Sequence, residues 1–468
     1  MSVNAPLVSV YITNHNYAAY IEQAIASVLS QTLQDYELIV IDDGSTDNSR
    51  EIIERYAEHE KIVTVFQQNQ GLTITNNIAL RQARGKYIVR LDADDWLDEH
   101  ALQVMSGVLE REDDVGLIFP DYYHVDKNGQ VSDVVRRHDF DEVELLDQPA
   151  HGACTMIRRQ CLLELEGYDE TIDCQDGWDL WIRLIQRYRV KNVNLPLFYY
   201  RKHGNSLSGN ERRLLDTRQR ILAKYAAQNG QSLKGTAIVP IRGAPLDPGS
   251  IALRQLDGKL LVDWTLDAVL ESKRLENIIV TTPDDAIIEH VRERYGDRVL
   301  TVRRDSQFAM PNTAIEDTVF DAIETHGTRT QEAAAIMTLY VECPFRTARH
   351  IDSAFDVLEL FDADSVIGVR PEMDDFYQHD GGGLVPMRRE STLRLEREEL
   401  FRSAGQIYLV RREFLDRERA MIGGRVGHVV IDERSALYLN SEWNWKIAEF
   451  TSRQIASELE EAELRSAS

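Results

Sequence analysis

Three groups of carboxylates stand where this sequence can do chemistry. Asp42-Asp43-Gly44-Ser45 follows the apolar run ELIVI, and Asp92-Ala93-Asp94-Asp95 follows YIVRL. Hard divalent cations take carboxylate oxygens, and such a cation can neutralise the charge that gathers on a departing diphosphate. The spacing Asp92-x-Asp94 suits that task, with Asp95 as a neighbour. A third acid, Asp176 in Cys174-Gln175-Asp176-Gly177-Trp178-Asp179-Leu180-Trp181, is the candidate to take a proton from an attacking hydroxyl. Aspartate is weakly basic, but the hydroxyl acidifies as its new bond forms. Asp179 is the alternative base. Asp42 or Asp43 can accept a hydrogen bond from the N–H of a nucleobase. Together these demands are those of sugar transfer from a nucleotide-diphosphate donor to an alcohol.

The elements that must position these acids alternate. Leu7–Thr13, Glu37–Ile41, Ile62–Phe66 and Tyr87–Leu91 read as short, nearly continuous apolar strands. Tyr17–Leu29, the segment through Ile52, Ile53 and Tyr56 (with Asp47 as its cap), and Thr73–Ala83 read as helices. This predicts a parallel sheet covered on both faces. Ligands of such sheets bind beyond the carboxyl ends of the strands, where both acidic clusters fall. A basic helix over 210–231, with Arg212, Arg213, Arg218, Arg220 and Lys224, reads as a solvated connector, and it leaves peripheral attachment at an inner membrane surface open. At Gly235 the alternation restarts, with strands Thr236–Ile241, Asn277–Thr281, Met337–Val341 and Ser365–Val369 and helices Leu260–Leu270 and Asp284–Tyr295. The reading is therefore two domains, 1–232 and 233–468.

Composition narrows the function classes. The chain has 468 residues, 43% hydrophobic and 28% charged, which is ordinary globular usage. A net charge of −25 disfavours nucleic acid and anionic lipid as partners. Cys154, Cys161, Cys174 and Cys343 form neither a zinc pattern nor a disulfide framework. No apolar run approaches the roughly 18–20 residues of a membrane helix, and the start of the chain does not read as a signal peptide. The expectation is a cytoplasmic protein without a transmembrane segment.

The order of the motifs is more specific than any one of them. SVYITNHNYAAYIEQAIASVLSQT, ELIVIDDGSTDNS, GKYIVRLDADDWL, GYDE with QDGWDLWIRL, and YYRKHGNSLS together resemble glycosyltransferase family 2 over the first half of the chain. The resemblance implies a GT-A fold of Rossmann-like α/β type, a nucleotide-sugar donor, Mg²⁺ or Mn²⁺, and inversion at the anomeric carbon. Carried over by position, the Thr13–Tyr17 stretch, including Asn16, and Asp43 or Asp42 would hold the nucleoside. Asp92 would reach nucleotide and metal, Asp94 the metal, and Asp176 would be the general base. Arg201 and His203 would lie near the diphosphate. This chain has Gly177 between Asp176 and Trp178, where many members have Glu-Asp directly before the aromatic. The acceptor, whether glycan, lipid-linked saccharide or protein, is left open.

From about 235 to 450, TAIVPIRG, LDGKLLVDWTLDAVLESK, NIIVTTPDD, LYVECPFRTARHIDSAFDVL, ADSVIGVRP and AGQIYLVRREFL resemble the cytidylyltransferases that activate sialic-acid-type sugars. This implies a second GT-A-like domain in tandem and a homodimer formed through it. The phosphate-binding loop is altered: it reads RGAPLDPGSIAL, keeping Arg242 and Gly243 but losing the lysines and gaining Asp247, Pro245 and Pro248. Where the family has a metal-binding Asp-x-Asp, this chain has Tyr438-Leu439-Asn440; Asp432, Glu433 and Glu442 are the other candidate ligands nearby. The expectation is a domain that keeps the fold without the chemistry. The rivals are a bifunctional CMP-sugar synthetase/glycosyltransferase and a non-catalytic scaffold. Trp443 and Trp445 read as packing residues, Gly381-Gly382-Gly383 as a turn, and the mixed-charge stretch 388–399 as surface or dimer arm.

Overall fold

The structure, a computed structural model, describes residues 5–136, 152–172, 174–202, 211–228, 232–310, 312–330, 333–372, 376–386 and 400–466. These form two compact units, one of 1–218 with 374–398 and the other of 219–373 with 399–468.

The first unit runs β1 (Val8–Asn14), α1 (Ile21–Leu29), β2 (Tyr36–Asp43), α2 (Ser49–Glu54), β3 (Ile62–Gln67), α3 (Leu72–Gln82), β4 (Tyr87–Asp92), β5 (Trp96–Leu97), α4 (Ala101–Leu109), β6 (Val115–Val125), β7 (Val131–Val135), β8 (Met156–Arg158), α5 (Arg159–Glu164), α6 (Asp176–Ile185), β9 (Arg189–Arg201) and α7 (Glu211–Gln228). Every residue of β2 is buried, as a central strand flanked on both faces demands. Side chains alternate between those faces. Val8, Val10, Ile12, Val89 and Leu91 pack with α1 and α4, whereas Tyr11, Ile39, Ile41 and Ile88 pack with α3, α5 and α6. The strand order is β3-β2-β1-β4-β8-β6-β9-β5, with β7 paired to β6. β1, β2, β3 and β4 are mutually parallel, and β8 enters antiparallel between β4 and β6.

The second unit runs β10 (Gly235–Pro240), β11 (Gln255–Leu256), β12 (Lys259–Leu260), α8 (Leu261–Leu270), β13 (Leu275–Thr282), α9 (Asp285–Tyr295), β14 (Leu300–Arg303), α10 (Ile315–Thr325), α11 (Gly327–Thr330), β15 (Ala335–Leu339), α12 (Ala348–Leu360) and β16 (Ser365–Glu372); after β17 (Tyr377–His379) and β18 (Leu384–Pro386), which fall in the 374–398 stretch of the first unit, it resumes with β19 (Leu400–Arg411), α13 (Arg412–Glu418), β20 (Val426–Val430) and α14 (Glu442–Ser466). Its main sheet has the order β14-β13-β10-β15-β19-β16-β20. The first four strands are parallel, and β19 enters antiparallel beside β15. Strand for strand this repeats the plan of the first unit, so the chain carries two Rossmann-like α/β domains of GT-A type in tandem. The second sheet begins at Gly235, and the compact units divide at 218/219, with 374–398 joined to the first.

Within the second unit, Trp445 is buried and Arg254 lies 3.7 Å over its ring, but Trp443 is 71% exposed, against the expectation that both pack inward. The exposure follows from helical spacing: Trp443, Ile447 and Phe450 share the outer face of α14, and all three are exposed. The glycines 381–383 form the expected turn, with the Gly382 and Gly383 amides bonded to Asp380 Oδ1. The stretch 388–399 lies outside the described residues.

A buried network ties the first residues of this unit to α12. Arg274 donates to Asp356 (2.8 Å), Glu359 and Ser232, and the Leu233 amide donates to Glu359. Burial pushes the Asp356 carboxyl up to about 6. The folded chain then keeps the Asp356 proton to about pH 6, whereas an unfolded aspartate releases it near pH 4. The resulting stability is fully present below about pH 4 and falls away as pH rises to about 6. Urea titrations at pH 4, 5, 6 and 7 should show a smaller drop of the midpoint between pH 4 and 6 in Asp356→Asn than in the wild type.

Candidate active site

The acids meet through a residue that the motif reading passes over. Arg90 lies on β4, two residues before Asp92, and points to the α6 side of the sheet. Its Nε donates to Asp92 Oδ1 at 2.7 Å and its Nη2 to Asp92 Oδ2 at 3.2 Å; its Nη1 donates to Asp176 Oδ2 at 2.7 Å. One guanidinium therefore joins an acid at the end of β4 to the acid that opens α6. Burial opposes charge on Arg90, but Asp92 and Asp176 outweigh it, and the group is held firmly protonated. Asn76 of α3 adds a 3.0 Å bond to Asp176 Oδ2. A cavity between sheet and helix adjoins this pair, lined among others by Tyr11, Thr155, Tyr168, Gly177 and Trp181.

The position of Asp176 rests on local backbone. Gln175, just before it, has φ of 59°, the left-handed region that a non-glycine residue seldom adopts. That turn starts α6 with Asp176 at its first position. Asp179, the alternative base, is bound by Arg183 Nε at 2.9 Å and Nη2 at 2.6 Å, with its side chain 1% exposed. Arg183 also holds the Leu165 and Gly167 carbonyls. Asp179 thus anchors the helix, and Asp176 faces the strand-end acids.

The acidic cluster is crowded. Asp95 is 1% exposed; burial, then repulsion from Asp94 and Asp92, raises its pKa well above the usual carboxylate range. The Tyr17 phenol is likewise pushed up by burial and then by Asp94, Asp92 and Asp95. The three acids therefore stand close enough to feel one another's charge. Among the described residues no three His, Cys, Asp or Glu side chains close around one point. An ion here would have to complete its coordination with oxygens of a bound ligand. Asp94 is half-buried, and both oxygens of Asp92 already receive Arg90.

Arg201 lies beside the acidic turn. It is 3% exposed, and its guanidinium donates to the Asp94 carbonyl (2.9 Å), the Lys127 carbonyl (3.0 Å) and Gln23 Oε1 (2.7 Å). It lies 4.5 Å over Tyr20 and 4.8 Å over Trp96, and its amide donates to Asp95 Oδ1. The guanidinium is fully engaged with the Asp92–Asp95 turn and its neighbours. His203 lies outside the described residues.

On the other side of Asp92, Thr13 sits directly opposite it across the β1–β4 pair, and Asn14 sits opposite Asp42 across β1–β2. Neighbours on either side of β1 belong to crossovers running in opposite directions, so this is the switch point of the sheet. Asp42 accepts from Asn14 Nδ2 (2.8 Å) and from the Ser45 hydroxyl (2.5 Å) and amide (3.2 Å). Asp43 accepts from Gln67 Nε2 (2.7 Å) and the amides of Gln70 (2.8 Å) and Gly71 (2.9 Å). Both carboxylates are buried and bind loops together. Asn16, at φ of 63°, accepts from the Thr46 amide at 2.7 Å. These residues cluster at the ends of β1 and β2, beside Asp92.

The corresponding end of the second sheet differs. The Ala244 amide donates to Asp284 Oδ2 (2.9 Å), and the Leu246 and Asp247 amides donate to the Gly243 carbonyl. The Gly249 amide takes Asp247 Oδ1 and the Ser250 amide the Asp247 carbonyl. Gly243 has φ of 74°, and a Cβ there would stand 2.3 Å from the Asp284 Cβ. Five amides of this loop, those of Ala244, Leu246, Asp247, Gly249 and Ser250, are thus bonded within the unit, and the Asp284 carboxylate sits against the loop. Arg242 is exposed. Tyr438 is 39% exposed, and Asn440 Oδ1 accepts from Asn444. Asp432 is bound to His350 and the Ser435 amide, and Glu442 to Arg254.

Comparison with known proteins agrees with this layout. The Glycosyl transferase family 2 model matches residues 9–165, and the Cytidylyltransferase model matches residues 252–430. An uncharacterized glycosyltransferase of Methanocaldococcus jannaschii, MJ1057, is 30% identical over 42% of this chain and 72% of its own length. TuaG of Bacillus subtilis, named for teichuronic acid biosynthesis, is 30% identical over 44% of this chain and 83% of its own. The chain belongs to glycosyltransferase family 2. The family-2 region, 9–165, is followed in the same chain by the region that matches the cytidylyltransferases, 252–430. Chondroitin synthase of Escherichia coli is 28% identical over 43% of this chain, which spans 30% of that relative's length. Among the described residues of the glycosyltransferase no helix is long and apolar enough to cross a membrane.

Proposed function

We propose that the first unit is a metal-dependent, inverting transferase that moves a sugar from a nucleotide-diphosphate donor to a hydroxyl of a growing polysaccharide, a lipid-linked saccharide or a protein. The observation that carries this reading is the Arg90 bridge, which sets an Asp at the donor side and an Asp at the acceptor side on one guanidinium. Thr13, Asn16, Asp42 and Asp43 bound the nucleoside crevice at the switch point. Asp94, with Asp92 beside it, would hold Mg²⁺ or Mn²⁺ together with the diphosphate. When bound, the ion neutralises charge on the leaving diphosphate. Asp176 takes the proton of the attacking hydroxyl as the new C–O bond forms on the face opposite the leaving group. Arg201 keeps the Asp94 turn in shape. The names of TuaG and of chondroitin synthase favour a polysaccharide acceptor.

The second unit is read as non-catalytic, serving assembly or regulation, including homodimerisation. The loop whose amides are closed on Asp284, Gly243 and Asp247 supports this, because a triphosphate needs free N–H groups and cations there. The full chain incubated with CTP, Mg²⁺ and a panel of nonulosonic acids should release no pyrophosphate; release would make the bifunctional enzyme the better reading. For the first unit, Asp176→Asn and Asp94→Ala should each lower transfer by about 10²–10⁴-fold with an unchanged circular dichroism spectrum. Full activity in either variant would remove that residue from its role.

A further inference from the structure

The bridge between Asp92 and Asp176 implies more than proximity. Arg90 is 8% exposed, and it stands on a strand whose same-face neighbour Ile88 packs in the α6-side core. Taking a guanidinium out of water costs several kcal/mol unless charges and hydrogen bonds compensate it. An apolar side chain would fill the place without that cost. The compensation is shared between two acids on different elements, 84 residues apart in sequence, and uses three separate nitrogens of one rigid fork.

Both bonds that Asp176 accepts, from Arg90 Nη1 and from Asn76 Nδ2, fall on Oδ2. Among the described residues Oδ1 accepts none. The base is therefore held by one oxygen and presents the other. Room is left above the pair by facing glycines. A Cβ on Gly152 would stand 3.4 Å from Arg90 Nη1, and one on Gly177 would stand 3.5 Å from the Gly152 Cα. Gly177, the departure from the family pattern, lies on this opening.

We propose that Arg90 is a positioning residue that locks the donor-side acid Asp92 and the base Asp176 into one rigid unit, with Asp176 Oδ1 aimed at the acceptor. This rests on Asp176 being the base. In the transfer step the acceptor O–H proton passes to Asp176 Oδ1 as the acceptor oxygen bonds to the anomeric carbon. The bond from that carbon to the diphosphate oxygen breaks, and its electron pair leaves with the diphosphate. Arg90 keeps its proton throughout. A lysine, a point charge without a planar fork, cannot bond both acids in the same way.

The test uses the full chain with Mn²⁺ and three donor probes, UDP-glucose, UDP-N-acetylglucosamine and GDP-mannose. Released nucleoside diphosphate is measured for the probe turned over fastest by the wild type. Arg90→Lys and Arg90→Met should lose about 100-fold in kcat with a smaller change in donor KM. Free guanidinium should restore part of the activity of Arg90→Ala. Turnover by Arg90→Lys and Arg90→Met within twofold of wild type overturns the proposal. So does a loss of activity carried in donor KM and not in kcat, with no response to guanidinium, which marks a purely structural role. Asp176→Asn separates the two readings. If it is inactive while the Arg90 variants are active, only the positioning role fails; if it turns over like wild type, the base assignment fails and the role built on it falls too.

Discussion

A buried guanidinium between two carboxylates sets the geometry of the first unit. Arg90 can stay charged inside the protein only while Asp92 and Asp176 stay beside it, and removing either would leave an uncompensated charge. That requirement fixes α6 against β4. The left-handed Gln175 and the Asp179–Arg183 pair serve the same end from within the helix. From the other direction, Arg201 clamps the carbonyl of Asp94 and the carboxylate of Asp95. The acids are held by cations below and beside them, so their mutual repulsion is contained and the open side of the cluster is left for a ligand.

The two units show how little of a function the fold itself specifies. Both sheets have the same order, with an antiparallel strand entering after the fourth parallel one. At the first switch point the strand ends carry a cluster of carboxylates. At the second, a proline-bearing loop closes on itself and on Asp284, and the nearby candidate metal ligands Asp432 and Glu442 are bound to His350 and Arg254.

Most of the architecture was legible because apolar periodicity carries it: the parallel strands of both units fall where β-branched runs predict them. Boundaries moved where turns intervene. The first helix begins at Ile21 and not at Tyr17, since the Tyr20 and Ile21 amides close a turn on the Tyr17 carbonyl. The candidate acids were legible as types, but their partners were not. Asp43 bonds amides 27 and 28 residues away, and Arg201 meets a carbonyl 107 residues away. Arg90 was hidden inside an apolar run. Its signal is a lone charge two residues before Asp92, hence on the same face of the strand. Trp443 misled because an aromatic in an amphipathic helix looks like core whichever face it occupies.

The proposed site for the donor's diphosphate and its cation is the end of β4 in the first unit. The most direct measurement is the anomalous scattering of Mn²⁺ in crystals of the full chain soaked with Mn²⁺ and UDP. A peak within bonding distance of the Asp94 carboxylate, with Asp176 on the same side of the sheet, is the expected result. A peak in the second unit, or a UDP bound away from Asp92 and Asp94, would contradict it.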